Sequence, residues 1–183
     1  MRVVSIVGMS GSGKSEVTAV FRDNGFTPVR FGDITDEGVK EQGLELNEAN
    51  ERTVREGLRR KYGMDAYAKL SVPRIDAALE SSDVVVDGLY SWEEYTYLKG
   101  RYGNDFIVVA VYSSPESRYT RLAGREIRPL TAAEALSRDR AEIENLNKGG
   151  PIAMADFTIV NQATLKELKR EVRQVIATLG RQN

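Results

Sequence analysis

Val3-Val4-Ser5-Ile6-Val7-Gly8-Met9-Ser10-Gly11-Ser12-Gly13-Lys14-Ser15 is the stretch that decides the fold. Val3, Val4, Ile6 and Val7 make a short apolar run of buried-strand type, and Ser15 to Arg22 reads as a helix. Between them, residues 8–15 complete the pattern GxxxxGK[ST] of a phosphate-binding P-loop. A strand, a glycine-rich turn and a helix start are what such a loop requires. The glycines let the backbone curl around an anion with its N–H groups pointing inward, and the helix dipole adds positive potential. We therefore expect Gly8, Met9, Ser10, Gly11, Ser12, Gly13, Lys14 and Ser15 to hold a nucleoside triphosphate. Lys14 would reach the β- and γ-phosphates, and Ser15 would offer its hydroxyl to Mg²⁺.

Composition narrows the chemistry around that loop. The chain has 183 residues, enough for one domain with a buried core and short for two. Its 26 basic and 27 acidic residues give a net charge of -1, without the basic excess that a nucleic-acid or membrane surface would need. There is no cysteine, so disulfides, thiolate metal sites and thiol nucleophiles are excluded. There is no histidine either, so any proton transfer falls to a carboxylate, a lysine, a tyrosine or water. With no signal peptide and no apolar run of membrane-spanning length, a soluble cytoplasmic protein is the expectation.

Strand-like and helix-like segments alternate, the mark of an α/β domain with a mainly parallel sheet. Phe26 to Phe31 reads as a second strand, with Pro28 suited to a sheet edge. From about residue 34 to 80 the composition is helical, an insertion before the third strand at Asp83 to Asp87. That strand is apolar on both faces and hence central. Phe106 to Tyr112 and Phe157 to Val160 supply a fourth and a fifth. Leu165 to Leu179 closes the chain as a helix whose apolar positions face the sheet. Lys148-Gly149-Gly150-Pro151 reads as a helix stop.

Asp87 ends the third strand and precedes Gly88, an arrangement suited to a carboxylate that holds Mg²⁺ beside a P-loop. An ordinary strand-ending turn would have the same dipeptide. Around Asp87, Val85-Val86-Asp87-Gly88-Leu89-Tyr90 resembles the strand-Asp-Gly motif of adenylate kinases and other nucleoside-monophosphate kinases. Phe31-Gly32-Asp33-Ile34-Thr35 resembles their Gly-Asp element, which opens the acceptor region. The whole chain is similar to a mainly archaeal family of adenylate-kinase-related P-loop proteins. Its C-terminal third also resembles dephospho-coenzyme A kinase, through Arg121-Leu122, Arg125, Leu130-Thr131, Glu134-Ala135, Arg138 and the stretch Ala155 to Asn161.

The resemblance implies a P-loop NTPase three-layer sandwich, with residues 34–80 receiving the acceptor and residues 118–140 forming an arginine-bearing lid. Two departures touch the acceptor side. Where adenylate kinases place an arginine that grips the acceptor phosphate, this chain has Asp36, and where they have a Pro-Arg pair it has Tyr90-Ser91. Asp36 would repel a monophosphate unless offset, and Arg55, Arg59, Arg60 and Arg74 are candidates to replace the missing cations.

Arg118, Arg121 and Arg125 recur at helical spacing, and Arg128, Arg138 and Arg140 follow. A lid built on them would place cations around a moving phosphoryl group and exclude water, although solvated surface arginines give the same pattern. Thr131 and Glu134 form a capping-box pair for the next helix, and Asp139 is a partner for a lid arginine. Asp33 is either a base for an acceptor hydroxyl or the N-cap of a helix starting near Ile34. Trp92, Tyr90, Tyr95 and Tyr97 either stack on an acceptor base or pack as core of the following helix. Asn161 stands where the relatives touch the donor base, and equally where the chain must turn.

These expectations make one domain spanning residues 1–183, with a parallel five-strand sheet in the order 2-3-1-4-5, since Asp87 must lie beside the P-loop. The expected activity is ATP·Mg²⁺-dependent phosphoryl transfer to a small nucleotide-like acceptor by a monomer or homo-oligomer. The expected catalytic set is Lys14, Asp33, Asp87, Arg121 and Arg125, with Ser15 and Asp87 on the metal and Arg121 and Asn161 near the nucleotide. Dephospho-coenzyme A kinase is the alternative within kinases, and a nucleotide-dependent regulatory NTPase or switch the alternative outside them. A GTPase base-reading motif is absent, because Asn147-Lys148 is followed by Gly149-Gly150.

Overall fold

The computed structural model describes residues 1–126 and 129–180. Five parallel strands form one sheet: β1 (Val3–Val7), β2 (Thr27–Arg30), β3 (Val84–Asp87), β4 (Phe106–Tyr112) and β5 (Phe157–Val160). Their order is β2-β3-β1-β4-β5, as expected from the need to bring Asp87 to the P-loop. Val3 pairs with Val84 on one side and Phe106 on the other, and the β1–β3 register ends with Ile6 opposite Asp87. β2 lies at the edge, where Pro28 tolerates its missing N–H.

Strand alternation sorts the apolar residues into two cores, one on each face of the sheet. Val3, Val7, Val84, Val86, Phe106 and Val108 pack on α4 (Ala66–Leu79) and α5 (Trp92–Tyr102) through Tyr67, Ile75 and Leu98. Val4, Ile6, Val85, Val109, Val111 and Ile159 pack on α1 (Lys14–Asp23) and α9 (Leu165–Gly180) through Val17, Phe21 and Val172. Each such fully buried Val or Phe contributes about 1.5–3 kcal/mol. The result is the expected three-layer sandwich. The segment between β2 and β3 contains three helices and no strand: α2 (Gly32–Glu41), α3 (Glu48–Tyr62) and α4.

Several boundaries differ from the sequence reading. α2 begins at Gly32, with Phe31 in helical conformation before it, so Asp33 lies inside the first turn and is not the N-cap. α6 (Pro115–Ala123) ends before Arg125, which therefore does not share a helix face with Arg118 and Arg121. α7 (Ala132–Glu144) opens with the Thr131–Glu134 capping box, as expected. It stops at Glu144, and Gly149-Gly150-Pro151 belongs to a short helix, α8 (Gly149–Ala153), rather than to a helix stop. Between α7 and α8, Asn147 has a φ of 52°, in the left-handed region that Asn tolerates. Arg128 lies outside the described residues.

Arg118 ties the elements after β4 to the phosphate loop. Its guanidinium donates to both Asp139 carboxylate oxygens (2.8 and 2.6 Å), to the Ser10 carbonyl (3.1 Å) and to the Ser113 carbonyl (3.2 Å). The pair is 5% and 10% exposed, so removing one partner strands a buried charge. Arg118→Met is expected to destabilise the fold by about 3–5 kcal/mol, and Arg118→Met combined with Asp139→Leu to recover much of that loss. Urea unfolding of the single and double variants measures both.

Candidate active site

The phosphate loop is packed from below, and its glycines are there because nothing larger fits. Gly11 and Gly13 have φ of 81° and 99°, a region costly for other residues. A Cβ on Gly8 would stand 2.4 Å from the Val111 carbonyl oxygen, one on Gly11 2.8 Å from the Arg118 carbonyl oxygen, and one on Gly13 2.3 Å from Asn161 Nδ2. β4, α6 and the segment after β5 thus form a floor under the loop. The residues fit a triphosphate cradle: three glycines at close approach, a lysine at the helix start and a free helix N-terminus.

Lys14 Nζ donates to the carbonyls of Gly8 (2.9 Å) and Met9 (3.1 Å), folding the side chain over its own loop. Burial, and next the charge of Lys148, push its pKa down to about 7. Ser15 is exposed at the first turn of α1. Asp87 is half-buried between two strands, opposite Ile6 on β1 and Arg30 on β2. Burial raises its pKa above the usual carboxylate range, against the opposing charges of Lys14, Arg30 and Lys148. Among the described residues there is no cluster of three or more carboxylates able to hold a metal unaided. One carboxylate and one hydroxyl at a phosphate loop suit Mg²⁺, which takes few protein ligands and completes its shell with phosphate oxygens and water.

Arg121 and Asn161 lie with the loop, engaged to its underside. Arg121 donates to Ser113 Oγ (2.9 Å), the Asn161 carbonyl (2.9 Å) and, at 3.4 Å, the Gly11 carbonyl. Asn161 is buried, and its amide donates to the Ser12 carbonyl at 2.8 Å. Arg125 is exposed beyond the end of α6. The three arginines taken as one lid face therefore occupy three environments: Arg118 locked on Asp139, Arg121 under the loop, and Arg125 at the surface.

On the acceptor side, Asp33 and Asp36 share one cation. Arg30 Nη1 donates to Asp33 at 2.9 Å and Asp36 at 2.8 Å, so the expected repulsion from Asp36 is offset by a residue the sequence reading passed over. Its place at the end of β2 was the available signal. Asp33 remains 46% exposed, and its charge raises the pKa of Asp87, which places the two carboxyls within electrostatic reach. The arginines proposed from the insertion are also engaged: Arg55 pairs with Glu51 (3.3 Å), Arg74 with Glu37 (2.5 Å), and Arg59 lies over the Tyr67 ring. Arg60 is exposed on α3. Where adenylate kinases have their Pro-Arg pair, Ser91 caps α5 and donates to the Met64 carbonyl at 3.0 Å. Tyr90 lies against Gly88. Tyr95 and Tyr97 pack on the core of the α5 face, and Trp92 stacks on Tyr95 with centroids 5.0 Å apart.

Two buried carboxylates carry no motif that marks them as part of the site, Glu94 being legible only as a capping-box residue of α5. Glu94 is fully buried, its carboxylate accepting from the N–H groups of Tyr90 (2.7 Å) and Ser91 (3.2 Å), and burial pushes its pKa up to about 7. Glu142 accepts from Lys148 Nζ (2.8 Å), Ser10 Oγ (3.0 Å) and Arg138 Nε (3.4 Å). Burial would raise the Glu142 pKa, but the Lys148 charge and hydrogen bond prevail and draw it down to about 2.

A family model described as an AAA domain matches residues 4–146. The UPF0200 protein TK1334 of Thermococcus kodakarensis is 38% identical over 178 residues, covering 95% of this chain and 96% of that protein. Among solved structures, TT1252 from Thermus thermophilus matches with a TM-score of 0.68 at 20% identity, over 97% of both chains. A gluconokinase from Sinorhizobium meliloti matches with a TM-score of 0.61 at 16% identity, over 97% of this chain and 93% of that one. At such identities the likeness is one of fold, a P-loop kinase-like fold. No helix among the described residues is long and apolar enough to cross a membrane.

The Glu142 pKa fixes an acid limb of stability. A carboxyl held at about 2 instead of its ordinary 4.5 contributes about 3 kcal/mol, fully present above the ordinary value and lost as pH falls through the depressed one. Glu142→Gln is therefore expected to be less stable than the parent at pH 6, with the gap closing between about pH 4.5 and 2. Urea midpoints across that range check it.

Proposed function

The chain belongs to the UPF0200 family and matches a model of an AAA domain over residues 4–146, and from that premise we propose an ATP·Mg²⁺-dependent small-molecule kinase. The observation that carries this reading is the β1–β3 register, which sets Asp87 beside the strand that runs into the phosphate loop. In the proposed mechanism the amides of residues 8–13 and Lys14 hold the triphosphate, and Ser15 and Asp87 hold Mg²⁺. The metal, when bound, neutralises the phosphates. Arg121 steadies the loop and nucleotide side, with Asn161 beside it, and Arg125 is the surface cation that closes over the site. Residues 34–80 receive the acceptor, and residues 118–140 act as the lid of a single cytoplasmic domain.

The acceptor in this proposal is a small nucleotide-like molecule, as in nucleoside-monophosphate kinases. A hydroxyl acceptor, as in dephospho-coenzyme A kinase, is favoured by one specific observation: Arg30 is shared between Asp33 and Asp36. That leaves no excess positive charge there for a phosphomonoester and keeps the Asp33 carboxyl partly exposed to an acceptor. Asp33 would then take the acceptor proton as its oxygen attacks the γ-phosphorus.

ADP release from Mg·ATP, with and without a panel of nucleoside monophosphates and dephospho-coenzyme A, tests the proposal. One acceptor should raise the rate at least about tenfold over the acceptor-free rate, and Lys14→Ala should abolish it. Equal turnover with and without every acceptor favours a regulatory NTPase instead, and full activity of Lys14→Ala overturns the donor site.

A further inference from the structure

We propose that Lys148 is a second phosphate-site cation that contacts the transferring phosphoryl group alongside Lys14, with Glu142 as the carboxylate that positions it. The inference rests on the phosphoryl-transfer reading above and adds to it a residue from outside the phosphate-site motifs.

Lys148 is 1% exposed, and its place is fixed twice by one residue. Its N–H donates to the Glu142 carbonyl at 3.2 Å, and its Nζ to Glu142 Oε2 at 2.8 Å. The other Glu142 oxygen takes the hydroxyl of Ser10, in the phosphate loop, at 3.0 Å. On the opposite side Nζ stands 5.2 Å from the centre of the Tyr90 ring, three residues after Asp87. The ammonium is thus bracketed by the loop, by the segment leaving Asp87 and by α7.

The charge count in this volume is what a brace does not explain. Lys14, Lys148 and Arg138 all act on Glu142, and the charge of Lys148 is the largest charge effect felt by Lys14. Two buried lysines set near each other disfavour one another, and an apolar contact would join α7 to the loop without that penalty. Three cations and Asp87 around one carboxylate leave Asp87 for the metal and an excess of positive charge for an anion. A phosphoryl group in transfer spreads its charge over three equatorial oxygens and needs cations held at fixed points. Of the cations of this region, Arg118 is committed to Asp139 and Arg125 is exposed, whereas Lys148 is buried and already positioned. In the transfer the bond from the γ-phosphorus to the β-bridging oxygen breaks as the bond to the acceptor oxygen forms. The acceptor's proton, where it has one, passes to Asp33, and Lys148 keeps all its protons and stabilises charge only.

The probes are Mg·ADP alone and Mg·ADP with aluminium fluoride, a mimic of the phosphoryl group in flight. Binding is followed by the emission of Trp92, the single tryptophan, whose ring packs against Gly150 of α8. Aluminium fluoride should tighten binding to the parent protein. Lys148→Met should bind Mg·ADP within about threefold of the parent while losing at least about tenfold of that gain, and Lys148→Arg should keep most of it. Glu142→Gln, which removes the carboxylate that positions Lys148, should bind Mg·ADP like the parent and lose part of the gain, at least about threefold. If Lys148→Met does not fold, Glu142→Gln decides: a reduced gain with Mg·ADP binding kept supports the proposal, and the full gain overturns it. A Lys148→Met protein with the full gain overturns the role of Lys148 alone. A parent protein that binds Mg·ADP with no gain overturns the transfer reading, and this proposal with it.

Discussion

Because β1 and β3 run parallel with Ile6 opposite Asp87, a carboxylate at the end of one strand and a glycine loop at the end of the other leave the sheet at the same edge. Strand pairing fixes that neighbourhood before any side chain contributes. The five buried residues of β1 hold the register, since a slip of one residue would turn its valines from one core into the other. The loop itself is then held from beneath by Arg118 and Asn161, which donate to the carbonyls of Ser10 and Ser12. Those bonds occupy carbonyls on the floor side, consistent with a loop whose N–H groups are the binding surface.

The sheet was legible because its central strands β1, β3 and β4 are short, apolar and bounded by polar turns. The order 2-3-1-4-5 followed from one chemical requirement placed on Asp87. Errors clustered where local pattern is weakest. Asp33 suits either a base or the cap of a helix starting near Ile34, but α2 begins at Gly32, two residues before that start, and Arg30 claims the carboxylate. The 118, 121, 125 spacing matched a helix that ends at Ala123, because Gly124 and the chain after it leave the helical path. The Lys148-Gly149-Gly150-Pro151 string read as a stop, yet proline at the third position of a helix needs no N–H partner within it, and α8 forms there.

Apart from Asp139 as the partner of a lid arginine, which Arg118 fulfils, the pairing of charges across the fold is out of reach of a local reading. Arg30 with Asp33 and Asp36, Arg74 with Glu37, and Arg118 with Asp139 join residues 3 to 37 positions apart. Counted along the sequence, each arginine is a free cation available to a phosphate. Counted in space, the acceptor side is nearly neutral, and the uncompensated positive charge lies around Lys14 and Lys148. The same reasoning explains why Glu94 escaped notice. Its capping of α5 is ordinary, and only the packing of α5 on the sheet makes its carboxyl fully buried.

A chain with no histidine and no cysteine carries no side chain that ordinarily exchanges protons near neutral pH. Folding creates two that do, since burial brings Lys14 down and Glu94 up to about 7 each. Side-chain buffering between pH 6 and 8 is therefore a property of the tertiary structure, carried by residue types that would be silent there in the unfolded chain. One group gains its titration by losing the stability of a cation and the other by losing that of an anion, so proton binding by these two side chains near neutrality marks the native state.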